Sequence, residues 1–483
     1  MAAATLIGID IGTTSVKAVM IGLDGSRVAD SSTSYPTRHP APGRVEQDPN
    51  DWLALVRDAL ARFAAHPEGR GVRAICLTSQ VNTHVFVDAE LQVLHPALVW
   101  QDGRAAAPGA ALDAQISAAD KIAWLGAPIA IDASHALARM AWMAAAHPDL
   151  WARTAHVLLP KDYVLAALTG QIAADPISAV GLVGADRRYA APLIALLPGA
   201  QARLAPLADP LAVVGRVRTG EPLAGVPVVL GTMDAWASMF GLGVAAEGQA
   251  MYLSGTSEVL GLIARAVIPE PGVITFPEWA GITLHAGPTQ AGGASLAWVA
   301  ALLGREAAEL AEAAAAITPQ SPLFLPHLQG ERAPLWDAQA RGTFAGLASA
   351  TGPAELAAAV LEGVAFSARL ALEALQRSAG QVPGSLHCGG GGAASDRWCQ
   401  IRANVLGRPL HRMQGRDPGA VGAAVMAGVG SGAMSGLAQA AGHLVQLDRS
   451  FQPDPAAARL ADARFALWQQ LYRQVRPINA GLA

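Results

Sequence analysis

Two short turns in the sequence have residue types that suit phosphate binding. Asp10-Ile11-Gly12-Thr13-Thr14 and Ser254-Gly255-Thr256-Ser257 each lie between two apolar stretches that are typical of strands. In such a turn, glycine lets backbone amides approach phosphate oxygens, hydroxyls add donors, and a carboxylate can hold hydrated Mg²⁺. Either turn alone is also typical of a plain hairpin. Two similar turns, one in each half of the chain, indicate a shared role in binding phosphates.

A carboxylate and a glycine-rich run supply two further candidates. Asp234 follows the apolar stretch VPVVL, where a carboxylate can accept the proton of a hydroxyl that attacks phosphorus. The same position is also typical of a residue that caps the next helix. The run CGGGGAAS at residues 388–395 lets a nucleoside lie against the backbone, and the helix after it favours anions. Its loose match to G-x-G-x-x-A is weak evidence for a dinucleotide, and no other feature supports one.

Polar residues cluster after another apolar stretch, RAICLTS. Gln80-Val81-Asn82-Thr83-His84 and Trp100-Gln101-Asp102-Gly103-Arg104 combine amides, rings and charged groups that can bind sugar hydroxyls. Some of these side chains are equally typical of turns and caps. His84 lies in the alternating apolar segment HVFVD, which favours a structural histidine over a catalytic one.

Composition and missing motifs narrow the function classes. The 483 residues carry a formal net charge of -4 with scattered basic residues, so we expect no nucleic-acid partner. Lysine occurs only at positions 17, 121 and 161, which excludes a Walker A motif. The signatures H-E-x-x-H and G-x-S-x-G are also missing from the sequence. Phosphoryl transfer by other means is the chemistry that remains favoured.

The cysteines and the uncharged stretches bear on the cellular compartment. The three cysteines form no C-x-x-C pair, which argues against a disulfide framework and agrees with a reducing cytoplasm. The N-terminus has no basic segment before its apolar residues, so we expect no signal peptide. Residues 418–447 contain no Asp, Glu, Lys or Arg, but glycines interrupt them. We therefore expect a buried helix and a loop there, and no membrane span.

The patterning around these candidates predicts an α/β protein of two domains. The start of the chain reads as three strands, a helix with Asn50 or Asp51 as its N-cap, and a fourth strand. A related strand, glycine turn and strand begin again near residue 244, and helices follow. We expect domains at residues 1–243 and 244–483, hinged against each other because no flexible linker separates them.

Taken in order, these segments resemble the FGGY carbohydrate kinases, which belong to the superfamily of actin, sugar kinases and heat-shock chaperone ATPases. The similar segments, several of them closest to xylulokinases, are IGIDIGTTSVKAV, SQVNTHVFVDAELQVLHPALVWQDGR, HVLLPKDYVLAALTGQIAAD, LSGTS, LPHLQGERAPLWDAQARGTFAGL, CGGGGAASDRWCQIRANVLGRPL and DPGAVGAAVMAG. They run nearly end to end. The resemblance implies a ribonuclease-H-like fold in each half, ATP in a central cleft, and transfer of its γ-phosphate to a sugar hydroxyl.

The resemblance also implies roles for single residues. Asp234 matches the family's catalytic base, and Asp10 its aspartate that organises Mg²⁺, so both are candidate metal contacts. The residues implied to contact ATP are Asp10, Gly12, Thr13, Thr14, Gly255, Thr256, Gly293, Gly390, Gly391 and Ser395. Those implied to contact the sugar are Gln80, Val81, Asn82, Trp100, Asp102 and Asp234. Dimers are frequent in the family, which makes a homodimer an open expectation for this chain.

Two departures affect substrate recognition. Xylulokinases usually read Gln-Met-His-Gly where this chain has Gln80-Val81-Asn82-Thr83, and commonly have Asn where Ala235 stands. A polar site discriminates through specific hydrogen bonds, so these changes should alter which hydroxyls are recognised. The sequence therefore predicts a kinase for D-xylulose or a similar ketose, with gluconate, glycerol, erythritol or another polyol as alternatives. A non-catalytic sensor of sugar or ATP on the same fold is a weaker alternative, because a pure binder needs neither aspartate.

Overall fold

The computed structural model describes residues 3–415 and 417–482, and the chain divides into two compact units. Unit 1 comprises Met1–Gly241 and Gly419–Leu444, and unit 2 comprises Leu242–Pro418 and Val445–Ala483. The chain first passes from unit 1 to unit 2 after Gly241, close to the predicted boundary at residue 243. Residues 419–444, however, belong to unit 1, whereas the sequence-based division placed them in the second domain.

Unit 1 is built on a six-stranded sheet in the order β3-β2-β1-β5-β10-β9. These strands are β1 (Thr5–Ile11), β2 (Ser15–Gly22), β3 (Arg27–Ser34), β5 (Val72–Ser79), β9 (Val213–Arg216) and β10 (Pro227–Val229). The first three form the predicted meander, whereas β1, β5 and β10 run parallel. Since parallel strands end at one edge of a sheet, the segments that follow β1, β5 and β10 meet there.

A smaller sheet and ten helices complete unit 1 within the described residues. The smaller sheet, in the order β4-β7-β6-β8, contains β4 (Glu46–Gln47), β6 (His84–Val87), β7 (Val93–Leu98) and β8 (His156–Leu158). The helices are α1 (Pro49–Ala65), α2 (Ala106–Asp113), α3 (Ala118–Leu125), α4 (Ala136–Ala146), α5 (Pro148–Arg153), α6 (Pro160–Thr169), α7 (Ala191–Ile194), α8 (Asp234–Gly241), α13 (Pro418–Gly430) and α14 (Leu437–Leu444).

Helix α1 starts earlier than its sequence pattern predicts. Its N-cap is Asp48, whose carboxylate accepts the amide of Asn50, and Pro49 is the first helical residue. Proline suits that position because its fixed φ is helical and no internal partner is needed for the missing amide hydrogen. The predicted caps Asn50 and Asp51 are therefore inside the helix.

The main sheet of unit 2 has a strand order related to that of unit 1, with β13 as an additional edge strand. This sheet has the order β13-β14-β12-β11-β17-β18-β19, with β11 and β12 as a hairpin and β11, β17 and β18 parallel. The strands are β11 (Ala250–Ser254), β12 (Glu258–Ile263), β13 (Ile274–Thr275), β14 (Leu284–Pro288), β17 (Leu386–Gly389), β18 (Leu410–Met413) and β19 (Leu447–Phe451). The related starts expected from the sequence are confirmed as hairpins in corresponding places.

The remaining elements of unit 2 are a short ribbon and five helices among the described residues. The ribbon pairs β15 (Leu323–Leu325) with β16 (Thr343–Ala345). The helices are α9 (Gly293–Leu302), α10 (Ala307–Glu312), α11 (Pro353–Ala379), α12 (Asp396–Leu406) and α15 (Pro455–Leu482). Helix α11 is almost entirely buried in its central turns, where it packs on the main sheet and on α12.

The uncharged stretch at residues 418–447 folds as α13, a glycine-rich turn and α14. In the part of the chain that the structure describes, we find no helix with the length and hydropathy needed to cross a bilayer. Helix α13 packs closely on unit 1, since a Cβ at Gly422 would lie 1.6 Å from the carbonyl oxygen of Ala237. This close packing explains why residues 419–444 return to unit 1. Each of Cys76, Cys388 and Cys399 is buried and carries a free thiol.

Candidate functional site

The first turn, residues 12–14, connects β1 to β2 at the edge where the parallel strands of unit 1 end. Gly12 donates its amide to the carbonyl of Ser15 and does not have a positive φ, so the turn does not require glycine for its backbone shape. Among residues 3–415 and 417–482, the amides of Thr13 and Thr14 donate to no protein acceptor. Thr14 is exposed. The turn therefore presents two amides and two hydroxyls for an anionic ligand.

Three side chains fix this turn from within unit 1. The Tyr35 hydroxyl donates to the carbonyl of Gly12, and Gln47 Nε2 donates to the carbonyl of Thr13 at 2.7 Å. Trp100 Nε1 donates to Thr13 Oγ1 at 3.1 Å, which joins the turn to a residue of the predicted sugar segment. Burial and the nearby Asp10 carboxylate raise the pKa of Tyr35, so its hydroxyl stays protonated as a donor.

Asp10, near the end of β1, lies against the start of α13. It is 8% exposed, and a Cβ at Gly419 would lie 2.6 Å from Asp10 Oδ2, so glycine is needed there. The N-terminus of a helix stabilises a nearby carboxylate through its amide dipoles. The return of the chain to unit 1 therefore builds part of the environment of Asp10.

The predicted sugar segment after β5 is only partly open. Gln80 is 2% exposed, and its Nε2 donates to Gln47 Oε1 at 3.0 Å, whereas its own Oε1 has no partner among the described residues. Val81 and Asn82 are partly exposed. Asn82 has φ 54°, and its side chain reaches Ser134 Oγ at 3.4 Å. Gln80, Val81 and Asn82 follow β5 at the same sheet edge as the first turn.

Asp102 does not fit the sugar contact implied by the resemblance. It is 1% exposed, and its carboxylate accepts the amide of Val45 at 2.6 Å and the Nε of Arg104 at 2.8 Å. Arg104 also pairs with Glu46 at 2.7 Å. The sequence places a carboxylate near a strand end, but the fold turns it inward. Asp102 therefore holds neighbouring backbone and is not available to a ligand.

His84 is likewise structural. It is 5% exposed and lies 3.2 Å, Nδ1 to Nη1, from Arg139. Burial and the Arg139 charge hold the pKa of His84 well below its usual value, so the ring is neutral.

Asp234 is the first residue of α8, after the short connection that leaves β10. That connection is tightly anchored: Gly231 has φ 74°, and a Cβ there would lie 1.8 Å from the carbonyl oxygen of Leu77. Thr232 is fully buried, accepts the Thr78 hydroxyl at its carbonyl at 2.5 Å, and donates its own hydroxyl to Asp175 Oδ1 at 2.8 Å. The close approach of Gly231 and the hydrogen bonds of the Thr232 carbonyl and hydroxyl therefore fix the position of Asp234.

A buried charge cluster supports that anchor. Lys161 is fully buried, and its ammonium lies 2.6 Å from Asp162 Oδ1 and 2.8 Å from Asp175 Oδ2. Asp175 thus joins the buried Lys161 to Thr232. The sequence of the segment that contains Lys161 predicts no role for any of these residues. The sequence shows that Lys161 and Asp162 are adjacent, but it does not show that Asp175 and Thr232 lie beside them.

The carboxyl group of Asp234 has an altered acidity. Burial raises its pKa to about 6, and the amide of Ala235, which donates to Oδ1 at 2.8 Å, partly opposes that shift. The charge of Lys17 opposes it further. The side chain is only partly buried, so it remains accessible to a reactant. A carboxylate with a pKa near 6 is a better proton acceptor at neutral pH than an ordinary aspartate.

In unit 2, the second turn, residues 254–257, is bound to the start of α9. Gly255 donates its amide to the carbonyl of Ser257 at 3.0 Å, and its own carbonyl accepts the amide of Gly293 at 2.9 Å. Ala294 donates to the carbonyl of Thr256 at 3.0 Å. Thr256 is exposed. The structure therefore brings Gly255, Thr256 and Gly293 together.

The glycine loop, residues 389–392, lies beside the second turn in unit 2. Gly390 has φ 91°, and a Cβ there would lie 2.4 Å from the carbonyl oxygen of Ser254. Gly391 is exposed and has open space around it. Ser395 is instead the N-cap of α12: its Oγ accepts the amide of Trp398 at 3.2 Å and donates to Glu312 at 2.7 Å. Its hydroxyl is thus already used within the protein.

The oxygen groups in unit 1 fit a magnesium ion held together with phosphates. Within residues 3–415 and 417–482 no group of three or more His, Cys, Asp or Glu side chains forms a metal cluster. Mg²⁺ commonly keeps several waters and takes only one or two protein carboxylates besides substrate phosphates. Asp10 and Asp234 would supply such hard oxygen ligands, and the hydroxyls of Thr13 and Thr14 lie at the same edge of the sheet.

Comparison with known proteins places the whole chain in one family. Residues 5–241 match the N-terminal domain, and residues 250–431 the C-terminal domain, of the FGGY family of carbohydrate kinases. A xylulose kinase of Escherichia coli strain K12 is 31% identical over 489 residues, covering 98% of this chain and all of the relative. A glycerol kinase of Aromatoleum aromaticum is also 31% identical, over 493 residues and 98% of each chain.

A solved structure agrees with this placement. The crystal structure of a xyloylose kinase from Brucella ovis has a TM-score of 0.87 and 31% identity, and covers 98% of this chain and all of that one. The predicted α/β class with two ribonuclease-H-like halves is confirmed by this match and by the related strand orders of the two units. The chain belongs to the FGGY family of carbohydrate kinases and is an ATP-dependent sugar kinase.

Proposed function

We propose that the enzyme transfers the γ-phosphate of ATP to a hydroxyl of a ketose, with D-xylulose as the first candidate and Asp234 as the general base. The observation that carries the proposal is the placement of Asp234. It follows β10 at the sheet edge that also presents the first turn, and burial raises its pKa to about 6. A base near a phosphate-binding turn is the arrangement that phosphoryl transfer to an alcohol requires.

In this mechanism the side chains of unit 1 act on the sugar and on the phosphate. The ionised Asp234 accepts the proton of the attacking hydroxyl as its oxygen approaches the γ-phosphorus. The amides of Thr13 and Thr14, unpaired in the described chain, together with their hydroxyls, hold phosphate oxygens, and Tyr35 and Gln47 keep that turn in place. In unit 2, we assign phosphate contacts to Gly255 and Thr256, and nucleoside contacts to Gly293, Gly390 and Gly391.

Magnesium fits the oxygen ligands described above, and Asp10 and Asp234 are the residues that would hold it. When bound, the ion would neutralise part of the charge on the phosphates.

The sugar is proposed from the relatives and from the residues after β5. Xylulose kinases account for several of the similar curated proteins, but a glycerol kinase reaches the same identity as the first of them. The candidate sugar contacts are Gln80, Val81, Asn82 and Trp100, whereas the Asp102 carboxylate is already bound by Val45 and Arg104. Glycerol is therefore the second candidate substrate.

A coupled assay of ADP release tests the proposal. Wild-type enzyme with Mg-ATP would be tested on D-xylulose, glycerol, D-gluconate and erythritol, beside Asp234→Ala and the control Asp186→Ala, which removes an exposed carboxylate. We expect turnover on D-xylulose, a fall in kcat of about 10²- to 10⁴-fold in Asp234→Ala, and no change in the control.

Other outcomes have distinct meanings. Turnover on glycerol alone would keep Asp234 as the base and replace the substrate. An Asp234→Ala enzyme that folds and retains more than a few per cent of kcat would remove Asp234 from that role.

A further inference from the structure

Glu258 and Arg402 form a buried ion pair in unit 2 that no step of the proposed mechanism uses. Glu258 begins β12, Arg402 lies on α12, and their side chains are 0% and 1% exposed. Arg402 Nη2 lies 2.7 Å from Glu258 Oε1. The Tyr252 hydroxyl donates to Glu258 Oε2 at 2.6 Å, so both carboxylate oxygens have partners.

The pair contacts both segments of unit 2 that we assign to ATP. Arg402 Nη2 donates to Ser254 Oγ at 2.6 Å, and that hydroxyl donates onward to Glu258 Oε1 at 3.0 Å. Arg402 Nη1 donates to the carbonyl of Gly392 at 2.8 Å. A single guanidinium thus binds the first residue of the second turn and the last residue of the glycine loop.

The two segments are so close that their spacing is sensitive to this contact. A Cβ at Gly392 would lie 2.2 Å from Ser254 Oγ, and one at Gly390 would lie 2.4 Å from the carbonyl oxygen of Ser254. Glycine is required at both positions. A shift of either segment by a fraction of this distance would change where the backbone amides of the turn and the loop point.

The guanidinium is also held in one orientation. It lies over the Trp398 ring at 4.0 Å and over the Tyr252 ring at 5.0 Å, measured from Cζ to the ring centroids. Planar stacking and forked hydrogen bonding are properties of arginine that lysine does not share. A buried ion pair is weak evidence for stability, because desolvation offsets much of its attraction. Its geometry therefore points to positioning.

We propose that Arg402, held by Glu258, is a positioning residue that sets the distance between the second turn and the glycine loop and so determines the affinity for ATP. The inference rests on the proposed function, which assigns these two segments to the nucleotide. It adds two residues that contact no substrate and act through Ser254 and Gly392.

The test compares two double variants that each remove one buried ion pair from unit 2. Glu258→Met with Arg402→Met removes the proposed positioning pair without leaving a lone buried charge. Glu362→Met with Arg464→Met is the matched control, because that pair is equally buried at 2.6 Å and Arg464 otherwise contacts carbonyls such as that of Ser321. A conservative variant, Arg402→Lys, keeps the charge but loses the fork.

The readouts are the dissociation constants for MgADP and MgATP by calorimetry, together with the KM for the sugar. We expect nucleotide affinity to fall at least tenfold in Glu258→Met/Arg402→Met, less in Arg402→Lys, and by less than twofold in the control. The KM for the sugar should stay within twofold in all variants. A purely structural role would instead lower the melting temperature of both double variants and leave nucleotide affinity unchanged.

Two results would overturn the inference. If folded Glu258→Met/Arg402→Met binds nucleotide with wild-type affinity, the inference is overturned while the proposed function stands. If that double variant does not fold, wild-type affinity in Arg402→Lys has the same meaning. A wild-type chain that binds no nucleotide would overturn the proposed function as well.

Discussion

Asp234 combines reactivity with a cost to stability. Burial raises its pKa from 3.8 to about 6, which means that the folded protein binds a proton on this side chain more tightly than the unfolded chain does. Above pH 6 the ionised carboxylate therefore destabilises the fold, and this destabilisation is relieved as the pH falls toward 4. The same shift places the pKa of the proposed base close to working pH. A site tuned for chemistry commonly sacrifices stability in this way.

The raised pKa predicts an acid limb in the pH dependence of activity. In the proposed mechanism the ionised form of Asp234 accepts the proton, so we expect kcat/KM for the sugar to rise with pH through a midpoint near 6 and to level off above pH 7. The measurement is kcat/KM between pH 5 and 8 at sugar concentrations well below KM, with the coupling enzymes shown not to limit the rate. A rate that stays constant down to pH 5 would contradict the assignment.

Single residues also mark where sequence reasoning stopped. The sequence pattern suffices to select Asp10, Asp234 and the two turns as candidates, because residue type and strand ends are both visible in the sequence. It could not tell that Asp102 faces the amide of Val45, since that contact joins residues far apart in the chain. Nor does the glycine-rich sequence show that Ser395 is the N-cap of α12.

At the scale of elements, the connection between β10 and α8 depends on a chain of buried polar contacts. Lys161 pairs with Asp175, Asp175 accepts the hydroxyl of Thr232, and the carbonyl of Thr232 accepts that of Thr78. Burying such groups is tolerable only when each finds its partner. We infer that this chain fixes where α8 begins and hence where Asp234 lies.

This chain of contacts predicts different effects for two substitutions at Thr232. Thr232→Val keeps the shape but removes the donor to Asp175, so we expect kcat to fall by roughly ten- to a hundredfold as Asp234 loses its placement. Thr232→Ser keeps the hydroxyl and should retain most of the activity. Steady-state kinetics on both folded variants give the comparison. Equal kcat values for the two variants would show that the Thr232 hydroxyl does not fix the position of Asp234.

Elements with local signals were predicted well, and their ends less so. The meander at the start of unit 1, the hairpin of the second turn and the long helix α11 follow from apolar periodicity alone. The N-cap of α1 was misplaced because Asp48, Asn50 and Asp51 are all good capping residues, and only the backbone of Asp48 is extended. Helices α4 and α5 are separated at His147, because a residue before proline is disfavoured in the helical conformation.

At the scale of the whole molecule, two separate stretches of the chain form unit 1. Residues 419–444 return to pack on the first sheet, where a Cβ at Gly8 would lie 1.9 Å from the carbonyl oxygen of Ala420. The sequence shows that this stretch is apolar and rich in glycine. It does not show which unit it covers, because that depends on contacts with strands several hundred residues earlier.

Because unit 1 is formed by two separate stretches of the chain, we predict that the N-terminal half does not fold by itself. A fragment of residues 1–241 would expose the faces of β1 and α8 that α13 covers, so we expect no cooperative thermal unfolding by circular dichroism. The same fragment joined through a flexible Gly/Ser linker to residues 419–444 should unfold cooperatively. Cooperative unfolding of the shorter fragment would show that α13 is dispensable to unit 1.

The three buried thiols have a practical consequence for spectroscopy. Cys76, Cys388 and Cys399 are shielded from maleimides in the native state, so a cysteine introduced at an exposed position can be labelled selectively without first removing the natural ones. One such label in each unit would form a spin or fluorophore pair. Distance distributions from that pair, recorded with and without nucleotide, would measure directly whether nucleotide changes the separation of the two labels.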